Sequence, residues 1–203
     1  MIVLAESNFV LELALEQSEA VEVERFLEMA EESAIRLVIS GFALVEPHWT
    51  LIYRKKRRSR TAAGLSDEIA QLSRSKRYRN LIDTSRDIVT TLLESGEVEF
   101  ANLAQVMRRA MACASVEAMN KDTLLRAQDI QQEFKLGPHD AVVLASVEAH
   151  LLRAAAGEKI FINKNSTDFA SAGIRAHLRK YDCMLFTEFA AARAFVEHEL
   201  RAT

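Results

Sequence analysis

The stretch Met1-Ile2-Val3-Leu4-Ala5-Glu6-Ser7-Asn8-Phe9 opens on an unbroken apolar run and stops at an acid. A short continuous apolar run rich in β-branched residues reads as a strand covered on both faces. Ser7 and Asn8 are helix-capping types, and the segment FVLELALEQ behind them places apolar side chains on one helical face. A strand that passes directly into a helix, with Glu6 at the junction, is the opening move of a parallel α/β unit.

The same pattern recurs downstream. Ser18 reads as the cap of an acidic helix whose inner side is expected to carry Val21, Val23, Phe26, Leu27 and Ala30. IRLVIS then returns as a second strand, which implies a right-handed parallel crossover. Pro138 fits the first turn of a helix that runs through VVLASVEAHLLRAAA towards a stop at Gly157. KIFIN is a third strand, a short helix spans about Ala172 to Lys180, CMLF is a fourth strand, and a closing helix covers Glu188 to Arg201. From Phe42 to Phe134 the chain reads as almost entirely helical, with Leu65, Ile69, Leu72 and then Leu81, Ile88, Val89, Leu92 at helical spacings. Within that section only VEFAN is ambiguous. The expected fold is a helix-rich, three-layer α/β/α domain with a short parallel sheet, spanning 1–203 and carrying a helical insertion over 53–134.

Composition narrows the function. Only 6 Gly and 2 Pro in 203 residues argue against a turn-rich β-sandwich. No apolar run reaches the roughly 18 residues a membrane span needs, and the first residues lack the basic flank of a signal peptide. Cys113 and Cys183 are far apart and lack metal-ligand spacing, so they read as free thiols of a cytoplasmic protein. A Gly-rich phosphate loop is missing, which weighs against a nucleotide-binding or receiver-like domain.

The acids carry the chemistry. Glu6 ends the first strand, Glu46 follows the second, Asp140 opens the Pro138 helix, and Asp168 follows the third strand. The carboxyl ends of parallel strands share one rim, where ligands bind. Carboxylates crowded there repel unless some protonate or a cation neutralises them. Each also has a plain structural reading: a solvated strand end for Glu6, a helix-dipole partner for Asp140, a turn before Pro47 for Glu46, a helix cap for Asp168. His48 and His139 flank the acids and read as surface residues.

This ordered set resembles the PIN-domain nucleases, including the VapC-type toxins of toxin–antitoxin pairs. The matching residues are Glu6-Ser7-Asn8, Glu46, the run Asp140-Ala141-Val142-Val143-Leu144-Ala145, and Asn163-Lys164-Asn165-Ser166-Thr167-Asp168-Phe169. The likeness covers roughly 1–52 and 134–190 and leaves out the central helices. It implies a metal-dependent endoribonuclease in which Glu6, Asp140 and Asp168 hold Mg²⁺ or Mn²⁺. Glu46 would join them in catalysis by holding a second ion or orienting water, while Asn165 and Asn8 would position water or phosphate. Hard cations of this kind favour oxygen donors. Two departures stand out: Glu6 occupies a position that is usually Asp, and Asn165 one that is often Asp. They sustain the alternative of an inactive PIN-like module for RNA or protein binding. The resemblance also brings a small antitoxin into view as a partner, and homodimerisation through the central helices is left open.

A basic cluster points to RNA. Arg54, Lys55, Lys56, Arg57, Arg58 and Arg60 are followed by Arg74, Lys76, Arg77 and Arg79 in a chain of net charge −3. Such a local positive field attracts a phosphate backbone, and Tyr53 and Tyr78 add ring faces for unpaired bases. The plain reading of the same residues is a solvated helix face.

Overall fold

The computed structural model describes residues 1–202, with side chains for all of them except 79–81, 83 and 84. Five strands form one all-parallel sheet: β1 (Ile2–Ala5), β2 (Arg36–Ser40), β3 (Ser115–Glu117), β4 (Lys159–Ile162) and β5 (Cys183–Phe186), in the order β3-β2-β1-β4-β5. Helices α1 (Ser7–Ala14), α2 (Ala20–Glu31), α3 (Gly41–Leu72), α4 (Ile82–Cys113), α5 (Lys121–Phe134), α6 (Pro138–Leu151), α7 (Ser166–Phe169), α8 (Ala172–Arg179) and α9 (Phe189–Ala202), with a 3-10 helix over Lys76–Leu81, make the protein 71% helical. None of the described helices is long and apolar enough to cross a membrane.

Strand alternation sorts the core into two layers. Val3, Ala5, Leu37, Ile39, Ile160 and Ile162 face Phe9, Phe26, Leu51, Leu103 and Phe189 on one side of the sheet. Leu4, Val38, Phe161 and Leu185 face Leu144, Phe169, Ile174 and Leu178 on the other. Strands β1, β2 and β4 are thus apolar on both faces, as the opening run predicts. The expected three-layer α/β/α architecture is what the chain adopts.

Four details differ from the reading above. The cap position of α1 is Glu6 rather than Ser7, and that of α2 is Glu19 rather than Ser18. Val21, expected inside, is 80% exposed, because α2 begins at Ala20 and turns Val23, Phe26, Leu27 and Ala30 to the core instead. Helix α6 stops at Leu151, well before Gly157. The helical middle section contains β3, which pairs Val38 with Ser115 and Ser40 with Glu117 at the sheet edge. Only three residues long, β3 is too short to give a periodicity. VEFAN lies inside α4.

Helices α3 and α4 run against each other as a long pair. Their sheet-proximal halves enter the core through Leu51, Leu103 and Ala110, while Ala62, Ile69 and Ile82 are buried further out. Lys55 joins Glu97 at 2.5 Å, and Arg58 grips both oxygens of Glu99 at 2.8 and 2.7 Å. The 53–134 stretch therefore leaves the sheet along α3 and returns to it with β3 and α5.

Candidate functional site

The chain leaves β1 towards β2 and β3 on one side, and β4 and β5 add on the other. The carboxyl ends of β1 and β4 consequently flank the switch point, the place where an open parallel sheet binds ligands. Register puts Ala5 beside both Ile39 and Ile162, so Glu6, Ser40 and Asn163 leave the sheet at one level. Each then enters a helix or a tight turn. Ser40 accepts a hydrogen bond from the Ala43 amide at 3.1 Å and starts α3, which brings Glu46 back over the rim. Asn163, nearly fully buried, accepts from the Asn165 amide at 2.8 Å and fixes the turn into α7.

Glu6 is buried at the head of α1. Its Oε2 accepts from Ser7 Oγ at 2.9 Å, while Oε1 has no hydrogen-bond partner. Burial pushes its carboxyl up to about 7 against the opposing pull of Ser7 and Asn8, and the Glu46 charge adds to the rise. Asp140 stands in the first turn of α6, after Pro138. Its carboxyl is also raised, by burial first and then by the Asp168 and Glu46 charges, although Asn165 and His139 oppose this. Asn165 Nδ2 donates to Asp140 Oδ1 at 3.3 Å and to Asp168 Oδ2 at 2.7 Å, and Asn165 Oδ1 caps α7 by accepting from the Asp168 amide at 3.4 Å. The cap of α7 is therefore Asn165, not Asp168. Glu46 Oε1 lies 3.8 Å from His139 Nδ1, and the His139 ring packs on Phe42 with centroids 5.4 Å apart.

The Glu46 charge thus acts on both Glu6 and Asp140, and that of Asp168 on Asp140, each acid delivered by a different element. They do not converge on a single point. Among the described residues, no three His, Cys, Asp or Glu side chains stand close enough to hold one ion together. The donor chemistry still suits a hard cation: the set is all oxygen, one buried oxygen of Glu6 is unmatched, and a neutral N–H of Asn165 occupies the space between two carboxylates. Mg²⁺ commonly needs only one or two direct carboxylates, with waters completing its shell. Asp140 and Asp168, joined through Asn165, are the pair that could supply such direct carboxylates.

A separate hollow of about 460 Å³ lies among Gly157, Glu158, Arg179, Asp182, Cys183 and Met184. It sits at the amino ends of β4 and β5, away from the ligand-binding edge of a parallel sheet.

Lys164, between the two asparagines, completes the turn. Its Nζ meets Glu12 Oε2 at 3.0 Å and Glu19 Oε2 at 2.9 Å, tying the β4 exit to α1 and to the start of α2. The sequence gives no sign of this tie, since its partners are some 150 residues apart.

The basic residues divide into groups. Lys55 and Arg58 are matched to Glu97 and Glu99 of α4, acids that the local sequence around them could not reveal. Lys56, Arg57 and Arg60 are exposed. Arg54 and Arg57 border an open hollow of about 330 Å³ with Thr61 and Leu92. Arg74, Lys76 and Arg77 are exposed at the far end of α3, about 40 Å along the helix from Glu46, and the Arg77 guanidinium packs over Tyr78. The Arg79 side chain lies outside the described residues. Trp49, which sequence reasoning passed over, is exposed on α3 one turn beyond Glu46. Its signal was spacing: three residues from an acid of the rim and four from Tyr53.

No known family model matches the chain, and no curated protein matches it significantly.

Proposed function

We propose that this chain is a metal-dependent endoribonuclease of the PIN-domain kind, using the rim of Glu6, Glu46, Asp140 and Asp168. The observation that carries the reading is the Asp140–Asn165–Asp168 bridge at the sheet's switch point, beside a buried Glu6 whose proton is held to about 7. Carboxylates kept this close at a cost in protonation are what a divalent cation would relieve. Mg²⁺ or Mn²⁺, when bound, would supply charge stabilisation to a scissile phosphate and make a water more acidic. Asp140 and Asp168 are the residues to hold it.

The chain's own groups do the rest. Hydrolysis joins a water oxygen to phosphorus and breaks one P–O bond, and the leaving oxygen gains a proton. Glu46, half-buried and 3.8 Å from His139, would accept a proton from the attacking water. Asn165 and Asn8 would orient phosphate or water through their amides. The exposed cations of α3 would draw the RNA backbone in. A small antitoxin as a partner belongs to the same reading.

The runner-up is an inactive PIN-like module that binds RNA or protein without cutting. The spread of the four acids, no three of which stand close enough to share an ion, is what favours it. An RNA cleavage assay with Mn²⁺, an EDTA control and an Asp140→Asn variant separates the two. Cleavage that needs Mn²⁺ and disappears in the variant supports the nuclease. Cleavage surviving in Asp140→Asn rules out this site, and Mn²⁺-independent inactivity of the native chain favours the module.

A further inference from the structure

We infer that α3 presents a stacking track for an unpaired nucleotide strand, in which Trp49 and Tyr53 take two bases and Lys56 and Arg60 take the phosphates leading away from Glu46. This rests on the nuclease reading and adds to it the site that receives the strand. Trp49 and Tyr53 are each 69% exposed, an unusual state for rings of this size on a helix without a structural duty to explain it. Glu46, Trp49, Tyr53, Lys56 and Arg60 succeed one another at steps of three or four residues. Such steps lie on one helical face. Their rise places Trp49 about 4.5 Å, Tyr53 about 10 Å and Arg60 about 21 Å beyond Glu46 along the axis.

Charge decides the occupant. An exposed aromatic pair by itself would suit a protein partner equally well. Here it is continuous with cations at one end and with the acidic rim at the other. Lys56 and Arg60 make no ion pair among the described residues, whereas their neighbours Lys55 and Arg58 are matched to acids of α4. Rings next to unmatched cations on one line suit alternating bases and phosphates. A duplex hides its base faces and could use only the cations.

Trp49 is the single tryptophan of the chain, so its emission reports this track and nothing else. The test titrates the full chain carrying Asp140→Asn, which prevents cleavage, with a uridine-rich 12-mer and with a duplex containing the same strand. The expected result is saturable quenching by the single strand, weaker or absent quenching by the duplex, and, read by fluorescence anisotropy of a fluorescein-labelled 12-mer, a signal that does not need Trp49, roughly tenfold loss of single-strand affinity for each of Trp49→Ala and Tyr53→Ala. Both rings are exposed, so these variants should retain the native circular dichroism and melting temperature. Lys56→Ser with Arg60→Ser should lower the salt dependence of binding while leaving the quenching at saturation intact. Binding without quenching and unaffected by Trp49→Ala, equal quenching by the duplex, or burial of Trp49 in a concentration-dependent dimer would each overturn the track while leaving the nuclease reading standing. A native chain that neither binds nor cleaves any RNA would overturn that reading as well.

Discussion

The side-chain amide of Asn165 donates to the Asp168 carboxylate at 2.7 Å, setting a neutral group against an acid of the rim within the first turn of α7. The same nitrogen reaches Asp140 at 3.3 Å, so one amide stands between two like charges. A neutral dipole can bridge carboxylates, but it cannot cancel their repulsion, and the raised proton affinity of Asp140 records the remainder.

Replacing Asn165 by Asp should therefore act in opposite directions with and without a divalent ion. In EDTA, the added charge and the lost bridge are expected to cost about 1 kcal/mol, a fall of roughly 2–4 °C in melting temperature for a chain of this size. In millimolar Mn²⁺ the variant should gain more than the native chain does, because a third carboxylate joins the donor set. Differential scanning fluorimetry in the two buffers reads both. Equal Mn²⁺-induced shifts in the native chain and the variant would mean that Asn165 does not face the ion.

Glu6 gives a pH dependence with a definite sign. Its folded carboxyl stands at about 7 against an ordinary 4.5, so between these values the folded chain keeps a proton that the unfolded chain has released. Stability must then fall as pH rises through this window and be fully present only below it. The gap corresponds to a penalty on the order of 3 kcal/mol above pH 7. Glu6→Gln in EDTA should be more stable than the native chain at pH 8, with the difference closing near pH 5. Urea melts at pH 5, 6, 7 and 8 would expose the trend, and parallel curves for the two proteins would refute it.

Lys164 should matter for stability as well as for the site. Glu12 is 1% exposed, and Lys164 is the cation facing it. Lys164→Met would leave a buried carboxylate with the Glu19 amide but without its charged partner, for an expected loss of about 2–4 kcal/mol. Restoring neutrality with Glu12→Gln in the same chain should recover a large part of that loss. If the double variant is no more stable than Lys164→Met alone, the ammonium was not compensating Glu12.

How far the fold could be read depends on run length and separation in the chain. Ile2–Ala5, Arg36–Ser40, Lys159–Ile162 and Cys183–Phe186 are apolar runs long enough to declare buried strands, and helix starts beside them followed from caps within a residue or two. Ser115–Glu117 is a strand because Val38 to Ser40 offers it a partner, a tertiary cause with no local signature. The four acids could be picked out because strand ends in a parallel sheet must share a rim. Their spacing along that rim could not, since it depends on how α3 and α6 lean. The matching of Lys55 and Arg58 to α4, and of Lys164 to Glu12 and Glu19, joins segments that no local pattern connects.

That matching makes neighbouring cations on α3 separable by experiment. Arg58 holds Glu99 through two bonds in a partly buried setting, so Arg58→Gln should cost about 1–2 kcal/mol of stability. Its charge is already balanced by Glu99, and the salt dependence of RNA binding should hardly change. Arg57 is exposed, and Arg57→Gln should leave the melting temperature within about a degree. If it touches a phosphate of a single strand, its removal should reduce the slope of log affinity against log salt by about 0.7. Melting curves and binding isotherms at four salt concentrations test both variants together. Should Arg58→Gln lower the slope and leave stability unchanged, the ion pair with Glu99 would not persist in solution, and all the cations of this segment would have to be treated as one field.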